Sequence, residues 1–189
     1  MPNPIEGNPP QFLKGEGAEA RPIVIIPGPK QHALAHVFKV SIDPFIGRLG
    51  IFRVHQGTVR KDSQLLVGDG RKPFKVSHLL KLQGKDHQEI SRGIPGDICA
   101  VAKVDEIHFD AVLHDSHDED QIHLHSMALP EPMLGLAIEA KSRGDEQKIS
   151  DALHKLQAED PSVRVEHNAA LNETVIRGQG ELHLRIILE

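Results

Sequence analysis

The hydrophobic period changes once along this chain, and the change divides what the two parts can fold into. From Leu34 to about Met127, apolar residues alternate in short runs separated by turn residues. Phe38, Val40 and Ile42 alternate, and Ile51, Arg53 and His55 stand against Phe52 and Val54. Leu65–Val67, Phe74–Leu80 and Ile98–Val104 supply further runs. Alternation sends successive side chains to opposite faces, so this part predicts about six short strands and no helix. Asp69-Gly70 has the composition of a tight hairpin turn with two positive φ angles. Pro95-Gly96 has that of a type II turn, proline setting φ and glycine taking the positive φ. The expected architecture is a small antiparallel β-barrel or sandwich.

Beyond residue 130 one more alternating run, Leu134, Leu136, Ile138 and Ala140, is followed by a different spacing. Ile149, Ala152, Leu153 and Leu156 fall at i, i+3, i+4 and i+7, the stripe of an amphipathic helix. Asp145 and Glu146 favour its N-terminal dipole, Asp151 can reach Lys155, and Pro161 ends it. Val163–Val165 and Thr174–Arg177 read as two strands with a polar connection at 168–172. The last segment, GQGELHLRIILE, is open. Leu182, Leu184, Ile186 and Leu188 alternate as a strand does, whereas Leu182, Ile186 and Glu189 share one helical face. As a helix it would complete β-α-β-β-α, a ferredoxin-like unit lacking its final strand.

The first 29 residues hold seven of the 13 prolines, with Gly7, Gly15, Gly17 and Gly28 among them. Such a stretch disfavours a helix or a central strand. Residues 1–33 are accordingly expected as a linker or extended arm, 34–128 as the barrel and 129–189 as the ferredoxin-like domain. With six Phe and neither Tyr nor Trp, the cores must rest on Ile, Leu and Val. The one cysteine, Cys99, excludes an intramolecular disulfide and lies in the apolar run ICAVAKV, as a buried inert thiol would. No apolar stretch is long enough to cross a membrane and no signal peptide is present, so the expectation is a soluble, cytoplasmic monomer.

The net charge of −5 is unevenly spread. Residues 35–112 carry 12 Lys and Arg against 9 Asp and Glu, whereas residues 127–189 carry 7 against 11. Between Arg48 and Lys75 the cations Arg48, Arg53, Arg60, Lys61, Arg71, Lys72 and Lys75 meet only Asp62 and Asp69. Positive charge presented together suits phosphate, but no aromatic stacking platform accompanies it in the sequence. The segment HDSHDEDQIHLH pairs His114 with His117 and His123 with His125 around four carboxylates. These residue types can ligate zinc or nickel, which defines a rival metal-binding reading. The spacing itself enforces no convergence, and a solvated polar loop explains the composition equally. No GxSxG, HExxH or G-x-x-x-x-G-K-[ST] loop occurs, so the chain shows no catalytic apparatus.

Three segments resemble the second domain of the elongation factor G family: HVFKVSIDPFIGRLGIFRVHQGTVRKDSQLLV, GRKPFKVSHLLKLQGK and GIPGDICAVAKV. The stretch from ALPEPMLGLAIEAKS through GQGELHLRIILE is similar to its third domain, and MPNPIEGNPP to the exit from its G domain. Lys61-Asp62 stands where the family usually has a glycine, and residues 10–34 and 114–125 also differ, marking a divergent paralogue. The resemblance implies a non-catalytic part of a translational GTPase whose nucleotide domain, with GTP and Mg, lies upstream. It implies small-subunit ribosomal RNA as the partner of Arg48, Arg53, Arg60, Lys61, Arg71 and Lys72. It further implies that the last segment is a helix, cut within its length. Glu181, His183 and Ile187 on that helix are the candidates for contact with the G domain. A ribosome-protection or recycling factor shares both domains and is the rival within the family.

Overall fold

The computed structural model describes residue 7 and residues 10–84, 86–125, 128–140, 142, 144–168 and 173–188. The chain divides into two compact units, residues 1–126 and 127–189. Among the described residues no helix is long and apolar enough to cross a membrane.

The strands of the first unit begin with β1 (Phe12–Lys14), β2 (Arg21–Ile23), β3 (Leu34–Asp43) and β4 (Gly47–Gln56). Next come β5 (Val59–Arg60), β6 (Gln64–Val67), β7 (Phe74–Lys75), β8 (Leu79–Gln83) and β9 (Asp86–Glu89). The set closes with β10 (Arg92–Gly93), β11 (Ile98–Ala102), β12 (Val112–His114) and β13 (Ile122–Leu124). Eight of them make one curled antiparallel sheet in the order β7-β6-β12-β3-β4-β11-β8-β9, the barrel-type architecture expected. β5 and β10 form a separate two-stranded ladder. Burial alternates along β4: Phe52, Val54 and Gln56 are buried while Ile51, Arg53 and His55 are half-buried. Phe52, Val37, Leu65, Leu79 and Leu113 are fully buried in this unit. Each such side chain contributes roughly 1.5–3 kcal/mol relative to leaving it in water.

The turns refine the sequence reading. Asp97 N–H donates to Ile94 O at 3.0 Å across Pro95-Gly96, and Gly96 has φ 96°, the expected type II turn. The hairpin beside Asp69, however, is centred one residue earlier. Gly70 N–H donates to Val67 O, and only Gly68 (φ 51°) takes positive φ, so the reading of two positive angles at Asp69-Gly70 is corrected. Asp62, standing where a glycine was expected, takes the left-handed conformation itself, with φ 68°.

The proline-rich start also differs from expectation. β1 is the middle strand of a three-stranded sheet, β13-β1-β2, with Phe12 opposite Ile23 on one side and Leu124 on the other. Phe12-Leu13-Lys14 contains no proline, and Pro22 sits on the edge strand β2, where a missing N–H costs no ladder bond. Phe12 is buried with Leu34, Val112 and Ile122, so this segment is part of a core and not only an extended arm.

The second unit contains β14 (Leu134–Ile138), α1 (Glu146–Glu159), β15 (Arg164–Asn168), β16 (Glu173–Gly178) and α2 (Glu181–Leu188). β16 lies between β14 and β15, all antiparallel. The order is the β-α-β-β-α of an incomplete ferredoxin-like unit. Leu153, Val163, Ile176 and Leu184 form its core, with Ile149, Leu156 and Ile187 packed around them. The ambiguous last segment is a helix because Leu184 reaches this core only by folding back over β16. The approach is so close that a Cβ on Gly178 would lie 2.7 Å from Leu184 Cδ2.

Candidate nucleic-acid interface

The six basic candidates do not form one face. Arg48 and Arg53 lie on β4 five residues apart with regular pairing to β11 between Leu49 and Arg53, so they project to opposite sides. Arg53 is half-buried between His36 and Ile98 in the ladder. Arg48 is half-buried and its Nε has no hydrogen-bond partner among the described residues.

Arg60 and Lys61 stand differently. The β5–β10 ladder sets Arg60 directly opposite Arg92, and both are exposed. Like charges facing each other across a ladder repel unless an anion lies between or above them. Neither guanidinium has a carboxylate partner among the described residues. Lys61, beside them, is paired: its Nζ donates to Glu89 Oε1 at 2.9 Å. That bond raises the lysine above its ordinary range, and Lys61 with His78 holds the Glu89 carboxyl low. Lys75 is likewise paired with Asp62 at 2.8 Å, whose carboxyl it holds low. Arg92 was missed in the sequence because it lies 32 positions from Arg60, and only the strand pairing brings the two together.

Arg71 and Lys72 occupy the β6–β7 connection, both exposed and neither paired among the described residues. The sequence reading found no aromatic stacking platform with this charge. Phe74, two residues after Lys72 and half-buried on β7, lines a cleft together with Val67, Arg71 and Lys72.

On α2 the three candidates have separate duties. Glu181 is exposed and pairs with Arg185 one turn on, at 2.6 Å. His183 is tied within the unit: its Nδ1 accepts from Gln179 N–H at 3.0 Å, so Nε2 donates to Asp160 at 2.9 Å. Burial works against the Asp160 carboxyl, but the Ser162 hydroxyl and N–H and the His183 ring hold it below its usual range. Ile187 packs on the unit's own core. The side chains that α2 turns outward are Leu182 and Ile186, each 67% exposed.

The His/Asp segment is woven into the fold. His114 is fully buried with Nδ1 2.8 Å from Ser116 O and Nε2 2.7 Å from Gly68 O, so both nitrogens are occupied. Asp115 Oδ1 accepts from Ala33 N–H at 2.9 Å, Asp120 lies 3.1 Å from His117, and Lys14 Nζ donates to Asp118 O. His123 lies on β13 beside β1, and His125 N–H donates to Gln11 O at 3.0 Å. Among the described residues no three His, Cys, Asp or Glu side chains are grouped to hold a metal ion. This stretch fastens the proline-rich segment to the sheet.

Comparison with known proteins agrees with this architecture. The family description "Elongation factor G domain 2" matches residues 32–113, and "Elongation Factor G, domain III" matches residues 129–189. The elongation factors G of Ureaplasma parvum serovar 3 and Ureaplasma urealyticum serovar 10 are each 33% identical over 189 residues. Those alignments cover 100% of this chain and 27% of each relative, so the chain spans about a quarter of their length. A crystal structure of a Thermus thermophilus protein matches with TM-score 0.70 and 31% identity, covering 84% of this chain and 24% of that one. The chain is therefore elongation factor G-like, carrying that family's domain 2 followed by its domain III.

Proposed function

We propose that this chain is the ribosome-docking and coupling part of a translational GTPase working in the cytoplasm. The first unit contacts small-subunit ribosomal RNA through phosphates, and the second relays the nucleotide state as a rigid body that moves against a G domain. The observation that carries the docking half is the Arg60–Arg92 pair, two exposed arginines opposite each other in the ladder, neither with a carboxylate partner among the described residues. Phosphate relieves their repulsion, and Lys61 adds a third charge when Glu89 releases it. Arg53 and Arg48 are less suited to direct contact, being half-buried on opposite faces.

The chain has no G-x-x-x-x-G-K-[ST] loop, so its residues do not fit GTP and magnesium, which an upstream domain would hold. For the contact with that domain, Leu182 and Ile186 replace His183 and Ile187, whose side chains serve the unit's own structure; Glu181 remains. The protein acts as a monomer and performs no chemistry itself. Filter binding of the chain to isolated small and large ribosomal subunits tests the reading. Saturable binding to the small subunit, competed by phosphate-rich RNA, is expected. Equal binding to both subunits, or none, sinks it.

A further inference from the structure

We infer that the cleft beside the β6–β7 connection is a site for one unstacked RNA nucleotide carrying an exocyclic amino group. This deepens the RNA-docking reading and rests on it. The cleft has a volume of about 360 Å³, is open to solvent and has an apolar floor. Phe74 pairs with Leu65 in the β6–β7 ladder, and Val67 lies two residues beyond Leu65 on the same face. Leu65 is fully buried, so it anchors the ladder, and the half-buried Phe74 and Val67 give the cleft its apolar lining. A base stacks on such a surface regardless of sequence.

Charge surrounds that floor in an order that suits a nucleotide. Arg71 and Lys72, both exposed on the same connection, line the cleft, with Pro73 stiffening the return to Phe74. The acid nearest them in sequence, Asp69, is directed elsewhere, accepting from Gln121 N–H at 2.7 Å. The two cations therefore stand free for a phosphate. Glu106 and His108 also line the cleft. A carboxylate there repels phosphate but accepts from an amino group, the pairing by which acids select cytosine N4. His108 Nδ1 lies 3.1 Å from Glu106 O, which ties the two residues together at the cleft. A cationic end, an aromatic lining and an acceptor carboxylate suit a phosphate, a base and its amino edge.

The test titrates the intact chain with hexacytidylate, hexauridylate and an RNA duplex of equal phosphate number, following the Phe74 ring and Val67 methyl signals by NMR. Hexacytidylate is expected to shift both saturably and to bind several-fold tighter than hexauridylate. Phe74→Leu should weaken hexacytidylate binding about tenfold, in the range expected for one base stacked on an aromatic ring. Glu106→Gln should abolish the preference between the two hexamers, and Arg71→Gln should flatten the salt dependence. Both exposed-site variants guard against a folding defect in Phe74→Leu. Phe74 signals unmoved by hexacytidylate, or equal affinity in Phe74→Leu, overturn the nucleotide site. If small-subunit binding survives that result, the docking reading stands and only the cleft assignment falls. If the hexamer binds in the cleft while ribosomal subunits do not bind, the docking reading is the one that fails.

Discussion

Acidification should loosen the first unit through one residue, His55. In the β3–β4 ladder Leu34 pairs with Gln56 and Ala35 with Val54, so His55 is the extra residue of a bulge. The bulge aims its ring at Phe12, with centroids 5.0 Å apart and planes at 72°, an edge-to-face contact between β4 and β1. Burial, with smaller contributions from the charges of His36 and Arg53, pushes the imidazole down to about 4. In the unfolded chain the same ring titrates near 6.5. Between those values the unfolded state binds a proton that the native state refuses, so stability falls as pH drops from about 6.5 towards 4. Above 6.5 the contribution is fully present. The whole gap is worth about 3 kcal/mol, most of which is lost by pH 4.5. His55→Phe keeps a ring against Phe12 but removes the titration. Urea unfolding at pH 7.5 and 4.5, followed by NMR signals of β3 and β4, gives the stability difference for each protein. The wild type should lose roughly 2–3 kcal/mol more than the variant over that interval. Because the comparison is of differences, any overpacking by Phe cancels. An identical pH dependence in both proteins would refute the assignment to His55.

Further outcomes follow from the same structure. Gly178→Ala should destabilise the second unit by about 1–3 kcal/mol, because its Cβ meets Leu184 at 2.7 Å, whereas Gly180→Ala should be near neutral, having nothing within 4 Å. An equal drop in melting temperature for the two variants would contradict that contrast. Asp160→Asn should cost about 1–2 kcal/mol in urea unfolding at pH 7, since it weakens the bonds to Ser162 and His183 that join the end of α1 to α2. An unchanged midpoint would show those bonds to be idle. Cys99 is fully buried, and burial, with Asp97 adding to it, pushes its thiol up to about 12. It should resist iodoacetamide at pH 8 in the native protein and react at the rate of a free thiol in urea; ready native alkylation would count against its burial.

Several strands, β4 most clearly, were legible because their spacing obeys a period of two, and α1 because its apolar residues obey the helical one; short strands such as β9, exposed throughout, carry no such period. Asp62 shows that a local substitution for glycine can be read correctly, since the backbone angle it must adopt is one Asp tolerates. What escaped was carried by long-range pairing. Phe12 lies among prolines, yet three residues free of proline suffice for a central strand once β2 and β13 flank it. His114 to His125 advertise metal chemistry by composition, but the orientation of the His114 ring is set by backbone carbonyls at Ser116 and Gly68, one of them 46 positions away. The two periods of GELHLRIILE tie by spacing alone; the resemblance implied the helix, and Leu184 packs closely on Gly178 within it. For the candidate interface, strand pairing supplied Arg92, and the two-residue strand β7 brought Phe74 to the cations. Burial, for its part, removed His183 and Ile187 from the outward face of α2.

The central claim is that exposed guanidiniums of the first unit grip RNA phosphates, and its most direct test is the salt dependence of small-subunit binding. Affinity measured across a salt series should fall linearly on a double-logarithmic plot. Arg60→Gln with Arg92→Gln should weaken binding at low salt and reduce the magnitude of the slope by about 1.5–2, close to one unit for each phosphate no longer held. A slope unchanged in the double variant, with the fold intact by NMR, would mean that the facing arginines touch no phosphate and that the docking surface lies elsewhere.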